Sequence, residues 1–289
     1  EKIENKYKNN DFIYVKDKNY IIDKGLWIAN NPIIIPDGFN LIINEGAEVY
    51  FDKKSYILIN NGKLVSNGSY NFPIKLSPLN DSWRGIFVKS NNKNSTLRYT
   101  NIYKTNYFTN DVNFLTGGIT FYNSNVEINS CIFDSSIAED AINIVNSKFN
   151  IKNSEFKNSA SDGIDLDFSF GEIKNTNFSK IGGDALDLSG SDLKIKKLNF
   201  LDIKDKSISA GEASKLIGEE ISINDSYIGI ASKDASLVEL NNINILNSEI
   251  ADLITYKKKS FYSFGKIKIN NSKIDNNKIY SQRINLISI

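Results

Sequence analysis

Three charged side chains recur at one interval in the middle of this sequence. Asp162, Asp184 and Lys206 follow one another at intervals of 22 residues, and each opens a short segment of the same pattern. Carboxyl groups can transfer protons or bind a cation, and a lysine ammonium can stabilise a developing negative charge. Acid–base chemistry is therefore possible here if the fold brings the three residues together.

The repeat predicts how they meet. The segments at 162–167, 184–189, 206–211 and 228–233 share apolar residues two positions apart, and a fainter copy stands at 140–145. Apolar residues that alternate with small or polar ones are typical of a half-buried strand. A fixed period of about 22 residues indicates stacked repeats rather than one globular core.

Each repeat contains two further strands. One follows about ten residues later, as in 149–151, 172–174 and 193–195, and a register of large residues closes the unit. This closing register consists of Phe133, Phe156, Phe178, Phe200, Ile223 and Ile245. Three short strands per repeat predict an all-β solenoid, a single-stranded parallel β-helix with about 22 residues per coil, in which equivalent residues lie in columns about 4.8 Å apart.

Polar columns are expected on the outer side of the repeated strand. Small residues (Ala141, Gly163, Ala185, Ser207 and Gly229) and carboxylates (Asp165, Asp167 and Asp187) alternate there with the apolar positions. We expect them to line a shallow acidic groove, with Lys206 and Lys233 at one end. Stacked carboxylates suit calcium, proton sharing or sugar hydrolysis. The alternative is that they only cap strands by accepting hydrogen bonds from turn amides.

Composition excludes several classes. The 35 basic and 34 acidic side chains nearly balance, which argues against nucleic acid as the main partner. The sequence has no histidine, so Ser-His-Asp catalysis is excluded, and its one cysteine, Cys131, beside a core column, is expected to be a buried structural thiol. No apolar run is long enough to span a membrane.

Irregular stretches suggest the organisation of the chain. Residues 1–24 are expected to form a lead-in or cap, residues 25–289 the β-helix, and residues 98–116 a protruding loop. That loop either contributes a binding surface or covers apolar columns. We expect residues 275–289 to finish a coil, to cap the end, or to continue into a further part of the protein.

A first resemblance concerns the opening coils. The segments Ile-Pro-Asp-Gly (35–38), Asn-Glu-Gly-Ala (44–47) and Trp-Arg-Gly-Ile (83–86) resemble the first coils of secreted bacterial right-handed parallel β-helix proteins, the pectate-lyase-like superfamily. The resemblance implies a right-handed helix and export to the cell surface, the periplasm or the medium.

A second resemblance lies in the repeat itself. Asp162-Gly163-Ile164-Asp165, Gly183-Asp184-Ala185-Leu186 and Lys206-Ser207-Ile208-Ser209 resemble three motifs of polygalacturonase-type glycoside hydrolases. However, Gly183 replaces one aspartate, Lys206 replaces the histidine, and Tyr256-Lys257-Lys258 lacks the arginine of a fourth motif. The repeats are more similar to an uncharacterised bacterial β-helix family.

The β-helix class also contains lyases and epimerases of uronate polymers, which implies another chemistry for the same residues. Under this resemblance, Lys206 is base or charge stabiliser, with Asp162 and Asp184 as the other catalytic residues. Calcium, if present, would be held by Asp162, Asp165, Asp184 and Asp187. The residues expected to contact substrate are Asp165, Asp187, Glu212, Lys233, Tyr256 and Lys257.

The sequence thus predicts an exported β-helix protein that acts on or binds a polysaccharide, with a uronate-containing polymer as the candidate. The alternatives are a non-catalytic glycan-binding module or adhesin, with Tyr103, Tyr107 and Tyr256 as stacking platforms, and a structural spacer. An enzyme should close residues 98–116 over the carboxylates, whereas a binder should show an open aromatic strip.

Overall fold

The structure is a computed structural model that describes residues 10–109, 114–283 and 286–288. It contains two compact units, Glu1–Phe149 and Asn150–Ile289. Both are built from short strands that pair in parallel from one turn to the next, about 11 turns of ~23 residues in all. The predicted all-β parallel β-helix is confirmed.

The first unit contains many short strands. They are β1 (Ile13–Lys16), β2 (Asn19–Ile22), β3 (Gly25–Ala29), β4 (Ile33–Ile35), β5 (Asn40–Asn44), β6 (Ala47–Phe51), β7 (Ile57–Asn60), β8 (Leu64–Asn67), β9 (Ile74–Pro78), β10 (Ile86–Lys89), β11 (Asn94–Arg98), β12 (Thr100–Tyr103), β13 (Phe108–Thr109), β14 (Phe114–Leu115), β15 (Ile119–Tyr122), β16 (Asn125–Asn129), β17 (Ile132–Asp134) and β18 (Asp140–Val145). Strand β19 (Lys148–Lys152) follows them.

The second unit has longer strands, because its strands often run through a turn of the coil. They are β20 (Glu155–Lys157), β21 (Asp162–Asp167), β22 (Phe170–Ile181), β23 (Leu186–Ser189), β24 (Asp192–Gly211), β25 (Lys215–Lys233), β26 (Leu237–Leu246), β27 (Ala251–Tyr256), β28 (Lys266–Lys273), β29 (Ile279–Ser281) and β30 (Ile287–Ser288). A short 3₁₀ helix (Asn276–Lys278) precedes β29.

The core of the second unit is made of the predicted columns. Ile164 pairs in register with Leu186, and Leu166 with Leu188, and all four side chains are buried. The closing register is equally regular, since the rings of Phe156, Phe178 and Phe200 stack with centroid separations of 5.2 and 4.9 Å. Each coil thus buries the same apolar positions against its neighbours, which stabilises the stack.

Serine ladders satisfy the backbone where the chain turns. The amide of Ser169 donates to Ser191 Oγ at 2.9 Å, that of Ser191 to Ser214 Oγ at 3.0 Å, and that of Ser214 to Ser236 Oγ at 3.1 Å. These serines are nearly inaccessible to water. A buried amide without a partner is costly, so one serine per coil allows the turn to be buried.

At the start of the first unit, β1 and β2 form an antiparallel hairpin, and β2 pairs in parallel with β5. Regular strand pairing therefore already begins within the segment 1–24, whose first nine residues lie outside the described residues. The division into a lead-in at 1–24 and a β-helix at 25–289 stays a prediction.

The predicted loop at 98–116 is partly regular. Strand β12 pairs in parallel with β9 and β17, whereas β13 and β14 form a small antiparallel pair of their own. Phe108 in β13 is fully buried, and its ring packs against Tyr56 at 4.8 Å and Phe87 at 5.6 Å. This contact is the one expected if the loop covers apolar columns. Residues 110–113 lie outside the described residues.

One smaller expectation, a buried cysteine, is also met. Cys131 is buried and belongs to no disulfide, and burial raises the pKa of its thiol to about 12, so it is unreactive near neutral pH. None of the helices in the described ranges is long and apolar enough to cross a membrane.

Candidate functional site

The structure brings Asp162, Asp184 and Lys206 together in the second unit; we call these three residues the acid–lysine column. Asp162 Oδ1 accepts a hydrogen bond of 2.8 Å from the amide of Asp184, and Asp184 Oδ1 accepts one of 3.0 Å from the amide of Lys206. One oxygen of each carboxylate therefore caps the next coil, as the alternative interpretation expected. The remaining oxygens determine what chemistry the column can perform.

Gly183 is required by the position of Asp162. A Cβ on residue 183 would lie 2.0 Å from Asp162 Oδ1 and 3.1 Å from the carbonyl carbon of Ser161. Any larger residue would displace the Asp162 carboxylate from its hydrogen bond. Gly183 stands where the polygalacturonase motif has an aspartate. In this chain its small size is explained by the space that the Asp162 carboxylate occupies.

Asp184 is the most buried acid of the column, with 9% of its side chain exposed. Burial raises the pKa of its carboxyl group, Lys206 opposes this rise, and the charge of Asp187 adds to it. Oδ1 also accepts a hydrogen bond of 2.9 Å from Lys206 Nζ, while Oδ2 accepts none within the described residues. Asp184 therefore combines a raised pKa with one uncommitted oxygen.

Lys206 is held between two carboxylates. Its Nζ lies 2.9 Å from Asp184 Oδ1 and 2.7 Å from Asp205 Oδ2, and 15% of the side chain is exposed. Burial alone would lower the pKa of Lys206, but the charge of Asp184 and the hydrogen bonds to Asp205 and Asp184 outweigh it, so the pKa lies above its ordinary value. Lys206 is therefore a permanent cation at neutral pH.

A second cation lies beside Asp187. Lys233 Nζ donates to Ser209 Oγ at 2.8 Å and lies 3.7 Å from Asp187 Oδ1. Its stem crosses Gly211, where a Cβ would come within 2.7 Å of Lys233 Cε. Tyr256 is the register partner of Lys233 in the next coil, and burial raises the pKa of its hydroxyl against the lowering effect of Lys233.

The carboxylates are close enough to share a cation. One oxygen from each of Asp162, Asp184 and Asp187 lies within 4.8 Å of the others, which suits the oxygen coordination of calcium. Asp165, the fourth predicted ligand, is the register partner of Asp187 but is not part of this group. The Lys206 ammonium already supplies a positive charge at Asp184.

The prediction for the small residues was wrong. Residues 141, 163, 185, 207 and 229 are buried and do not line an outer groove. A Cβ on Gly163 would lie 3.4 Å from a ring carbon of Phe178, and one on Gly229 3.2 Å from Ile245. These positions are small because they pack beneath the closing register. The carboxylates expected beside them, Asp165, Asp167 and Asp187, are half-buried.

The other predicted contact residues lie at neighbouring turns. The carboxylate of Glu212 forms an ion pair with Lys259. Lys257 is exposed, and its Nζ lies 5.5 Å from the centroid of the Phe264 ring. Neither Glu212 nor Lys257 hydrogen-bonds with the acid–lysine column in the part of the chain that the structure describes.

Sequence reasoning missed Phe168. It is 64% exposed and has a φ of 49°, at a turn position that Asn123, Asn146 and Gly190 also occupy with positive φ. A Cβ on Gly190 would lie 2.8 Å from the Phe168 ring, so the glycine leaves room for the ring to lie on its backbone. The signal in the sequence was a phenylalanine where other coils place asparagine, directly after Asp167.

No protein-family model and no curated protein matches the sequence. Solved structures do match. A mutant of the periplasmic alginate epimerase AlgG is 12% identical, with a TM-score of 0.52 over 96% of this chain and 80% of the other. The catalytic domain of a GH87 alpha-1,3-glucanase in complex with nigerose is 12% identical, with a TM-score of 0.43 over 94% of this chain; the chain spans 64% of that domain. By its fold, the chain is a right-handed parallel β-helix.

Proposed function

We propose that the second unit binds a uronate-containing polysaccharide at the acid–lysine column and acts on it, with Asp184 as proton donor. The observation that carries this proposal is the state of Asp184: it is buried, its pKa is raised, and Oδ2 accepts no hydrogen bond within the described residues. A carboxyl group in such surroundings can hold a proton and give it to a glycosidic or carboxylate oxygen.

The other residues complete the chemistry. Lys206 stays protonated, so it stabilises negative charge and does not act as a base. Asp187 is the second carboxylate, and its oxygen lies within 4.8 Å of one from Asp184. This spacing is shorter than the roughly 6.5–9.5 Å that inverting hydrolysis requires and nearer the roughly 5–5.5 Å of retaining enzymes. It therefore favours direct participation of Asp187 over activation of a water between the two acids.

The fold is compatible with this activity and with export. The AlgG structure that shares the fold is a periplasmic alginate epimerase, a protein that acts on a polysaccharide. Calcium held by Asp162, Asp184 and Asp187 would require an ionised Asp184, so it would oppose the role of Asp184 as proton donor. A chelator therefore belongs in the test of the proposal.

The test is a turnover screen of the whole chain against polygalacturonate, alginate and neutral glucans, with and without EDTA. New reducing ends report hydrolysis, absorbance of unsaturated sugars reports elimination, and proton NMR reports epimerisation. Asp184→Asn should lower the rate by about 100-fold or more. Asp192→Asn, at an exposed acid in β24, is the matched control and should retain the rate. Full activity of Asp184→Asn would contradict the assignment of the proton donor.

A second candidate function is binding without turnover. It is favoured by the hydrogen bonds that tie Asp162 Oδ1 and Asp184 Oδ1 to the next coil, and by the exposed ring of Phe168 beside Asp167. In that case no polymer in the screen is converted, yet Phe168→Ala weakens binding to one of them.

A further inference from the structure

Two cationic side chains converge on one aromatic ring at the last coils of the second unit. Arg283 Cζ lies 4.5 Å and Lys257 Nζ 5.5 Å from the centroid of Phe264. Within the described ranges, neither forms an ion pair with a carboxylate, and Glu212, which was predicted to contact substrate, is engaged by Lys259. The ring attracts both cations, but it does not neutralise them.

The two side chains come from segments that hold each other in place. The amide of Lys257 donates to the side-chain oxygen of Gln282 at 3.0 Å, and the amide of Gln282 donates to the carbonyl of Thr255 at 3.1 Å. The buried Asp234 also fixes the chain after Lys257, because its Oδ1 accepts hydrogen bonds of 2.7 Å from two successive amides there. The convergence is therefore built into the backbone.

This arrangement is suited to a bound anion. Both cations contact one ring, so Lys257 Nζ and Arg283 Cζ are about 10 Å apart or closer, and two positive charges lie on one patch of the surface. A carboxylate at this patch could accept paired hydrogen bonds from Arg283 and would be attracted by the point charge of Lys257.

We infer that Lys257, Arg283 and Phe264 form a subsite for the carboxylate of an acidic glycan, which we call the cationic clamp. The inference rests on the proposed function, because it places the clamp at one end of the same polysaccharide site. Tyr256, the neighbour of Lys257, pairs in register with Lys233, which lies beside Asp187. A polymer on this face can therefore contact the carboxylates and the clamp in adjacent coils.

The test measures affinity by calorimetry for polygalacturonate, for the same polymer fully methyl-esterified, and for polyglutamate. The variants are Lys257→Gln, Arg283→Gln and both together, with Lys266→Gln, at an exposed lysine of β28, as the control for lost charge. Each clamp variant should weaken binding of polygalacturonate about fivefold, and the double variant about 25-fold if the effects add. Binding of the esterified polymer should not change, and melting temperatures should match the parent.

The other outcomes separate this inference from the proposed function. If the clamp variants bind polygalacturonate as tightly as the parent while Asp184→Asn or Phe168→Ala alters turnover or binding, the clamp is refuted and the proposed function stands. Equal weakening by Lys266→Gln, or equally tight binding of polyglutamate, would also refute a sugar-specific carboxylate subsite. If the parent binds and converts none of the glycans, the proposed function itself fails.

Discussion

Replacing Lys206 by methionine tests the electrostatics of the site, because it removes the ammonium and keeps much of the apolar stem. Asp184, with 9% of its side chain exposed, then loses the cation 2.9 Å from its Oδ1. Removing one partner of a buried pair costs roughly 3–5 kcal/mol. Because Lys206 retains some solvent exposure and Asp184 can take up a proton, we expect the low end, about 3 kcal/mol near neutral pH.

The penalty should depend on pH. Burial raises the pKa of Asp184 and Lys206 lowers it, so Lys206→Met raises that pKa further. A folded-state pKa above the unfolded one means that stability is retained at low pH and lost as the pH rises through the raised pKa. The deficit should therefore be full at about pH 7, with a melting temperature lowered by about 6 °C, and nearly absent at about pH 3.

Thermal unfolding followed by circular dichroism between these pH values checks the prediction. Lys204→Met is the matched control, since Lys204 is an exposed lysine in the same strand paired with Asp202, and it should melt like the parent at every pH. Lys206→Met combined with Asp184→Asn should lose the pH dependence. A deficit that is independent of pH, or that grows in acid, would refute the account of Asp184 and Lys206 given above.

Three further predictions concern neighbouring residues. Gly183→Ala should lower the free energy of unfolding by about 1–3 kcal/mol in chemical unfolding, because its Cβ would displace the Asp162 side chain. Adding Asp162→Ala should restore part of this loss. If the losses of the two variants add instead, the clash between residues 183 and 162 is contradicted. Phe168→Ala should weaken polysaccharide binding in calorimetry without lowering the melting temperature, since the ring is exposed; unchanged binding would exclude a stacking role. Ser191→Ala should lower the free energy of unfolding by about 1–3 kcal/mol in the same experiment, because the amide of Ser169 loses its buried acceptor. An unchanged free energy of unfolding would show that another group replaces the Ser191 hydroxyl.

Most of the second unit was predictable because every coil must solve the same packing problem. An apolar residue at 164 requires others at 186 and 208, so the period of the sequence is the period of the structure. In the first unit, Ile57, Ile86 and Ile119 are paired in register although unequal stretches of chain separate them. Loops of variable length carry no packing constraint, so their ends could not be predicted from periodicity.

The site was only partly predictable for a related reason. Register predicts which residues are neighbours, and it placed Asp162, Asp184 and Lys206 correctly next to one another. It does not predict the direction of side chains at a corner of the coil, and for this reason Gly163 was expected outside and lies inside. Arg283 was missed because it comes from the last coils, where the repeat no longer appears in the sequence.

The order of residues in the acid–lysine column explains why we propose Asp184, and not Asp162, as the proton donor. Each carboxylate gives one oxygen to the amide of the next coil, and this series ends at Lys206, because an ammonium cannot accept a hydrogen bond. Ile228, its register partner in the following coil, has no charge to continue the column. Asp184 is therefore the acid that is both buried and in contact with the ammonium, so its chemistry follows from its place next to the end of the series.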